Sequence, residues 1–106
     1  MPKKSKFPVL VERHLKMKSS ESDTAKDVVV QIGHPRTVSP QGDADCPVAV
    51  KGLYDDLPHI RGVDSLDALR LAINFVERLL RDRKPGVKLY WPDGEEYLLS
   101  EGTEGR

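Results

Sequence analysis

Apolar and polar residues alternate along much of the first half of the chain, and the spacing changes near residue 64. Val9, Val11, Leu15 and Met17 fall on one side of an extended segment, with Glu12, His14 and Lys16 on the other. A period of two marks a half-buried β-strand. Arg13 breaks that pattern, standing where an apolar side chain is expected. Lys18–Lys26 is a polar stretch and predicts a long flexible hairpin loop. Asp27–Gly33 is the best strand candidate, because Val28, Val30 and Ile32 point one way and β-branched side chains suit a pleated surface. Gly33-His34-Pro35 ends it, since Pro35 lacks an amide donor and restricts His34. Ser39–Asp45 predicts a second polar loop. Cys46–Leu53 alternates again, with Cys46, Val48 and Val50 on one face. A turn over Tyr54–Pro58 then leads to a short extended piece, His59–Val63.

From Asp64 the period lengthens to that of a helix. With successive residues set about 100° apart, Leu66, Ala68, Leu69, Leu71, Ala72, Ile73, Phe75, Val76, Leu79 and Leu80 share one arc. Asp67, Arg70, Asn74, Glu77, Arg78, Arg81 and Asp82 fill the rest. Asp64 is the expected N-cap, Asp67 adds negative charge to the first turn, and Lys84-Pro85-Gly86 is the expected stop. The helix therefore spans about Asp64 to Lys84. Its apolar arc covers roughly 220°, against about 100° for an ordinary surface helix. Ala68 and Ala72 sit inside that arc and predict a close approach to a sheet. The width predicts either a sheet curled around both flanks or one flank, around Leu71 and Phe75, reserved for a second chain. After the helix, Val87–Trp91 and Glu96–Leu99 flank Pro92-Asp93-Gly94-Glu95, a strong hairpin signal.

The order is three strands, a short strand, the helix and a final hairpin. It predicts an α+β fold, with a mainly antiparallel four- to five-stranded sheet against one long amphipathic helix. Residues 1–8 read as a flexible basic leader, 9–99 as the single domain and 100–106 as a disordered acidic tail. One helix cannot cover both faces of such a sheet, so the other face must be polar or bound.

Composition narrows the possibilities. With 106 residues, 38% of them hydrophobic, the chain supports one modest core. Seventeen basic and 17 acidic side chains cancel, so no chain-wide field attracts nucleic acid. The charge is uneven, however. Residues 1–18 hold Lys3, Lys4, Lys6, Arg13, Lys16 and Lys18 against Glu12, six minus one, or +5. Residues 93–106 hold five carboxylates against Arg106, or −4. Cys46 is the one cysteine, which excludes an intrachain disulfide or a site of several thiolates and fits a reducing compartment. No apolar run approaches the roughly 20 residues of a membrane span. Phe7–Val11 is too short and too soon followed by charge for a signal peptide. The expected location is the cytoplasm.

Motifs for phosphate loops, dinucleotide folds, nucleophile elbows and zinc helices are absent from the sequence. His14, His34 and His59 lie 20 and 25 residues apart, without a local metal-ligand spacing. No metal or cofactor is expected. Tyr54–Arg61 is richest in acid–base groups, and Asp55, Asp56 and His59 are the polar-site candidates, since a carboxylate beside an imidazole can tune it toward neutrality. The competing reading is a solvated turn. Cys46 reads as a core residue. Leu71, Phe75, Tyr90, Trp91 and Tyr97 are the interaction candidates, the last three flanking the final turn, where aromatic residues either pack across strands or anchor a partner.

Ile32-Gly33-x-Pro35, Asp45-Cys46-Pro47, Val50-x-Gly52-Leu53 and Gly62-Val63-Asp64-x-x-Asp67-Ala68-Leu69-x-Leu71-Ala72 together resemble a small bacterial domain family of unknown function. In that family a strand ending in a Gly-x-Pro turn leads to a Cys-Pro strand and a helix opening with Gly-Val-Asp. The resemblance covers residues 9–91 and departs at Asp67, where the family has Gln. It implies a bacterial source and carries over no activity or catalytic residue. The expected function is a non-catalytic interaction or accessory domain that binds another protein or itself, as a homodimer for example. A small enzyme or ligand binder using Asp55, Asp56 and His59 is the alternative, ahead of weak nucleic-acid binding through the basic N-terminus and Trp91.

Overall fold

A computed structural model describes residues 6–20, 24–82 and 86–97. Strands β1 (Val9–Ser19) and β2 (Lys26–Gly33) form the first hairpin, and the polar loop between them lies partly outside the described residues. Next come β3 (Arg36–Thr37), β4 (Ala44–Cys46), β5 (Val48–Lys51), β6 (Ile60–Gly62), helix α1 (Ser65–Arg81) and β7 (Val87–Tyr90). The class is α+β as expected, but the strands divide into two sheets. One is antiparallel with order β5-β2-β1-β7, and the other has order β3-β4-β6.

Two prolines account for the division. β2 pairs with β5, and β3 with β4, so residues 26–51 form one long hairpin interrupted at His34-Pro35 and Pro47. The Gly33 N–H donates to the Pro47 carbonyl at 2.8 Å, joining the two halves across the break. Neither proline has a donor for a ladder, so the pairing cannot run straight through. The expected strand Cys46–Leu53 is thereby shared between the sheets. Ala44-Asp45, expected in a loop, belongs to β4, and the two-residue β3 was not foreseen. Strands of two or three residues are too short for alternation to register.

In the larger sheet the registers set Leu15 beside Val28, Arg13 beside Val30 and Val11 beside Ile32. Val30 and Ile32 then face Val50 and Val48, and Met17 faces Leu89. All turn toward the helix, and apart from Arg13 and Val11, which are exposed, they supply much of the core. Glu12, His14, Lys16, Asp27 and Gln31 turn the other way. His14 Nε2 lies 2.8 Å from Glu12, Gln31 donates to Glu12 at 3.0 Å, and Lys16 to Asp27 at 2.5 Å. The face without a helix is polar and internally bonded.

Asp64 caps α1 by accepting the Asp67 N–H at 2.8 Å, while Asp67 accepts the Val63 N–H at 3.0 Å and a bond from Arg70 at 2.5 Å. That reciprocal arrangement satisfies donors left free at a helix start. The Asp82 N–H closes the other end on the Arg78 carbonyl at 2.8 Å. The expected stop at Lys84-Pro85 lies outside the described residues. Ala68, Ala72, Val76 and Leu80 form a buried ridge, and Leu69, Phe75 and Leu79 pack half-buried beside it. The helix lies mainly against β6 and β4 and also touches β5 and β2. A Cβ on Gly62 would stand 2.3 Å from the Ala68 backbone nitrogen, so strand and helix backbones meet there. The broad arc is thus shared between two sheets, but not all of it is covered. Leu66 is 75% exposed and Ile73 38%, on the flank opposite Leu71 and Phe75, which are both half-buried.

The last hairpin closes through Trp91 N–H to Glu95 C=O at 2.7 Å and Tyr97 N–H to Leu89 C=O at 2.8 Å. Leu98-Leu99, the acidic tail 100–106 and residues 1–5 of the basic leader lie outside the described residues. No helix among the described residues is long and apolar enough to cross a membrane.

Gly62→Ala is expected to destabilise the protein by about 1–3 kcal/mol, with a midpoint shift in urea, whereas Leu66→Ser at an exposed site changes stability by less than about 0.5 kcal/mol. Equal midpoints for Gly62→Ala and wild type would refute the close approach. Asp67 generates a pH prediction. The Val63 N–H, and then Arg70, hold its carboxyl below the usual range. Its contribution is therefore complete above about pH 4 and is lost as pH falls through its lowered native value. The stability gap between wild type and Asp67→Ala should narrow below that pH, and a pH-independent gap would contradict the arrangement.

Candidate functional site

The hairpin break also creates a concavity. A cleft of about 740 Å³ opens where β5, the β3–β4 hairpin, the 52–59 loop and the segment Lys6–Pro8 meet. Gly33, Pro47 and the leader build one end of it. A Cβ on Gly33 would lie 2.7 Å from both the Phe7 ring and Pro47, so glycine lets those two rings close over the backbone. The Phe7 and Pro8 side chains, Pro47, Val48 and Ala49 make this part of the wall apolar.

The 52–59 loop forms the opposite wall, and its sequence determines which side chains face inward. Gly52, at φ +96°, turns the chain so closely that a Cβ would be 2.4 Å from the Asp27 carbonyl. The Leu53 and Tyr54 N–H groups then donate to the Val50 carbonyl at 3.3 and 3.0 Å. The Tyr54 hydroxyl donates to the Leu79 carbonyl of α1 at 3.3 Å, and Leu57 packs on the core. With Tyr54 and Leu57 anchored, Asp55, Asp56 and His59 are left exposed, and all three line the cleft. Asp56, at φ +53°, accepts a bond from Lys6 at 2.7 Å. That ammonium holds the Asp56 carboxyl below its ordinary range, and Asp56 raises Lys6 in turn.

A charge ladder on the small sheet completes the site. Asp45 of β4 lies beside Arg36 of β3 and Arg61 of β6. Arg61 donates to both Asp45 oxygens, through Nη2 at 3.4 Å and through a shorter Nε contact. The Asp45 carboxyl is held low first by this bonding and further by the charges of His59 and Arg36. His34, Arg36, Asp45 and Lys51 also line the cleft. Sequence reasoning did not place these four in the site, since they come from separate strands and no local spacing links them.

Other candidates lie elsewhere. His14 sits with Glu12 on the polar sheet face, apart from His34 and His59. Trp91 and Tyr97 meet edge to face at 5.0 Å, and the Arg13 guanidinium lies 5.4 Å from one ring centroid and 5.7 Å from the other. Arg13 also donates to the Tyr97 hydroxyl at 2.9 Å, which explains its place on the inward face of β1. Tyr97 is buried, Tyr90 is half-buried opposite Lys16, and Trp91 remains 36% exposed. A smaller apolar groove of about 210 Å³ runs between Val11 of β1 and Ile73 of α1.

Nucleophilic chemistry has little to work with here. Cys46 is fully buried, donates from Sγ to the Gly33 carbonyl at 3.4 Å, and burial pushes its thiol pKa up. Reactive thiols need the opposite setting. Among the described residues no group of three or more His, Cys, Asp or Glu side chains is arranged to hold a metal ion. No protein-family model, curated protein or solved structure matches the chain.

Cys46 is expected to resist a thiol reagent in native buffer and to react at once in denaturant. Rapid native labelling, followed by absorbance, would show that its burial is not maintained.

Proposed function

We propose that this chain is a non-catalytic interaction domain, cytoplasmic and bacterial, that receives an extended segment of a partner protein in the cleft beside β5. One observation carries the reading: a peptide segment of the chain itself packs against the other walls to form one end of the cleft. Lys6 bonds to Asp56, Phe7 covers Gly33 and Pro8 lines the apolar wall. The cleft thus offers what a peptide needs, an apolar wall interspersed with a few polar groups that fix orientation.

The second reading, a small-ligand binder or enzyme, draws support from Asp55, Asp56, His34 and His59 sharing one cavity. It ranks below the first because Asp56 is bonded to Lys6 and Asp45 to Arg61, and the thiol is buried.

Selection of displayed heptapeptides against the full-length protein tests the leading reading, with binding sites mapped by amide chemical shifts. Enriched peptides should perturb Arg36, Ala49 and Lys51, and Ala49→Arg should weaken them at least tenfold by filling the cleft. Failure to enrich any peptide, or shifts confined to the Val11–Ile73 groove, would overturn it.

A further inference from the structure

Charge pairing around the cleft is uneven, and the imbalance indicates what kind of segment fits. Three carboxylates line it. Asp56 is bonded to Lys6, whose charge also feels Asp55, and Asp45 is bonded to Arg61 outside the lining. Two permanent cations remain without an ion-pair partner among the described residues, Arg36 and Lys51. Arg36 stands next to Asp45 in the ladder, but Arg61 already occupies both oxygens of that carboxylate. Lys51 is close enough to influence Glu12, yet Glu12 is bonded to His14 and Gln31. His34 and His59 lie in the same cleft, and the permanent charges open to a ligand are two cations against one carboxylate, Asp55.

Resting on the cleft as a peptide site, we infer that the partner segment is acidic, with one carboxylate for Arg36 and another for Lys51. Spacing supports two separated acids. Arg36 is in register with Asp45, and Asp45 to Lys51 is six residue steps along β4 and β5, at most about 20 Å of extended chain. The bend at Pro47 shortens that span. An extended partner thus carries carboxylates about five or six residues apart, with apolar residues between them against Pro47, Val48 and Ala49. Those apolar contacts suit a peptide better than a phosphate backbone, which gains most from clustered cations.

The test uses the full chain and fluorescein-labelled, end-blocked heptapeptides at 50 mM salt. The probe is Glu-Pro-Leu-Ala-Pro-Leu-Glu, compared with versions ending in Lys or Gln at both positions. The Glu peptide should bind at least tenfold more tightly than either and shift the Arg36, Ala49 and Lys51 amides. Arg36→Glu and Lys51→Glu should each weaken it at least fivefold, and Lys51→Gln should fall between wild type and Lys51→Glu, with amide spectra verifying that each variant folds. A Lys peptide binding equally well in the cleft overturns the acidic inference and leaves the peptide reading intact. Silence from all three peptides, in anisotropy and at the cleft amides, overturns the acidic inference. The peptide reading falls as well if the displayed library also yields nothing. Pimelate, a free seven-carbon dicarboxylate, matching the Glu peptide, or a thymidine 20-mer displacing it at lower concentration, overturns the peptide in favour of a small acid or nucleic acid.

Discussion

The contact between β6 and the first turns of α1 is the constraint on which the rest of the molecule depends. Gly62 has no side chain and Ala68 only a methyl, so strand and helix backbones approach more closely than larger residues allow. Ala72, Val76 and Leu80 extend that line toward the other sheet. Because interiors are packed nearly as densely as organic crystals, a displacement at one end of such a ridge is transmitted to the other. The helix start is fixed just before this contact by the Asp64–Asp67 cap, so its register on the sheets is set within one turn.

The cleft follows from the same arrangement. A helix seated against β6 and β4 also touches β5 and β2, and the two sheets part where Pro35 and Pro47 interrupt pairing. Backbone that cannot continue a ladder there produces concavity in place of sheet. Tyr54 then fastens the 52–59 loop to the far end of the helix, which keeps the opposite wall in position. Site and core are thus linked through α1. The loop's outward side chains differ in availability: Asp56 is tied to Lys6, whereas Asp55 and His59 carry no bond of that kind among the described residues.

Arg13 shows how an apparent violation of pattern can be structural. Its charge lies on the inward face of β1, yet its guanidinium rests against Trp91 and Tyr97 and bonds to the Tyr97 hydroxyl. Ring faces attract a cation, and the exposed edge of the cluster leaves the head group partly hydrated. The aromatic residues flanking the last turn are therefore tied first to one another across the sheet.

Much was legible in the sequence because it depends on neighbours only a few residues apart. The two-residue period of β1 and β2, the 3.6-residue period of α1, its Asp64 cap and the Asp-Gly turn are local, and each appears near its expected place, although α1 ends at Arg81, three residues before the expected Lys84. Ala68 marked the close approach correctly and Ala72 is buried in line with it, since side-chain size is a property of the sequence itself. Asp55, Asp56 and His59 could be proposed as a site because they are contiguous. The remainder was decided by distant pairings. Nothing local shows that Pro47 divides one strand between two sheets, that Lys6 reaches Asp56 fifty residues on, or that Arg36, Asp45 and Arg61 form one ladder. Nor could a helical wheel say which flank stays open, because that depends on where the sheets stand. The sequence by itself determined the elements and the faces they bury. Only the tertiary structure decided which charges meet across the cleft, because ion pairing depends on distances between segments that no periodicity encodes.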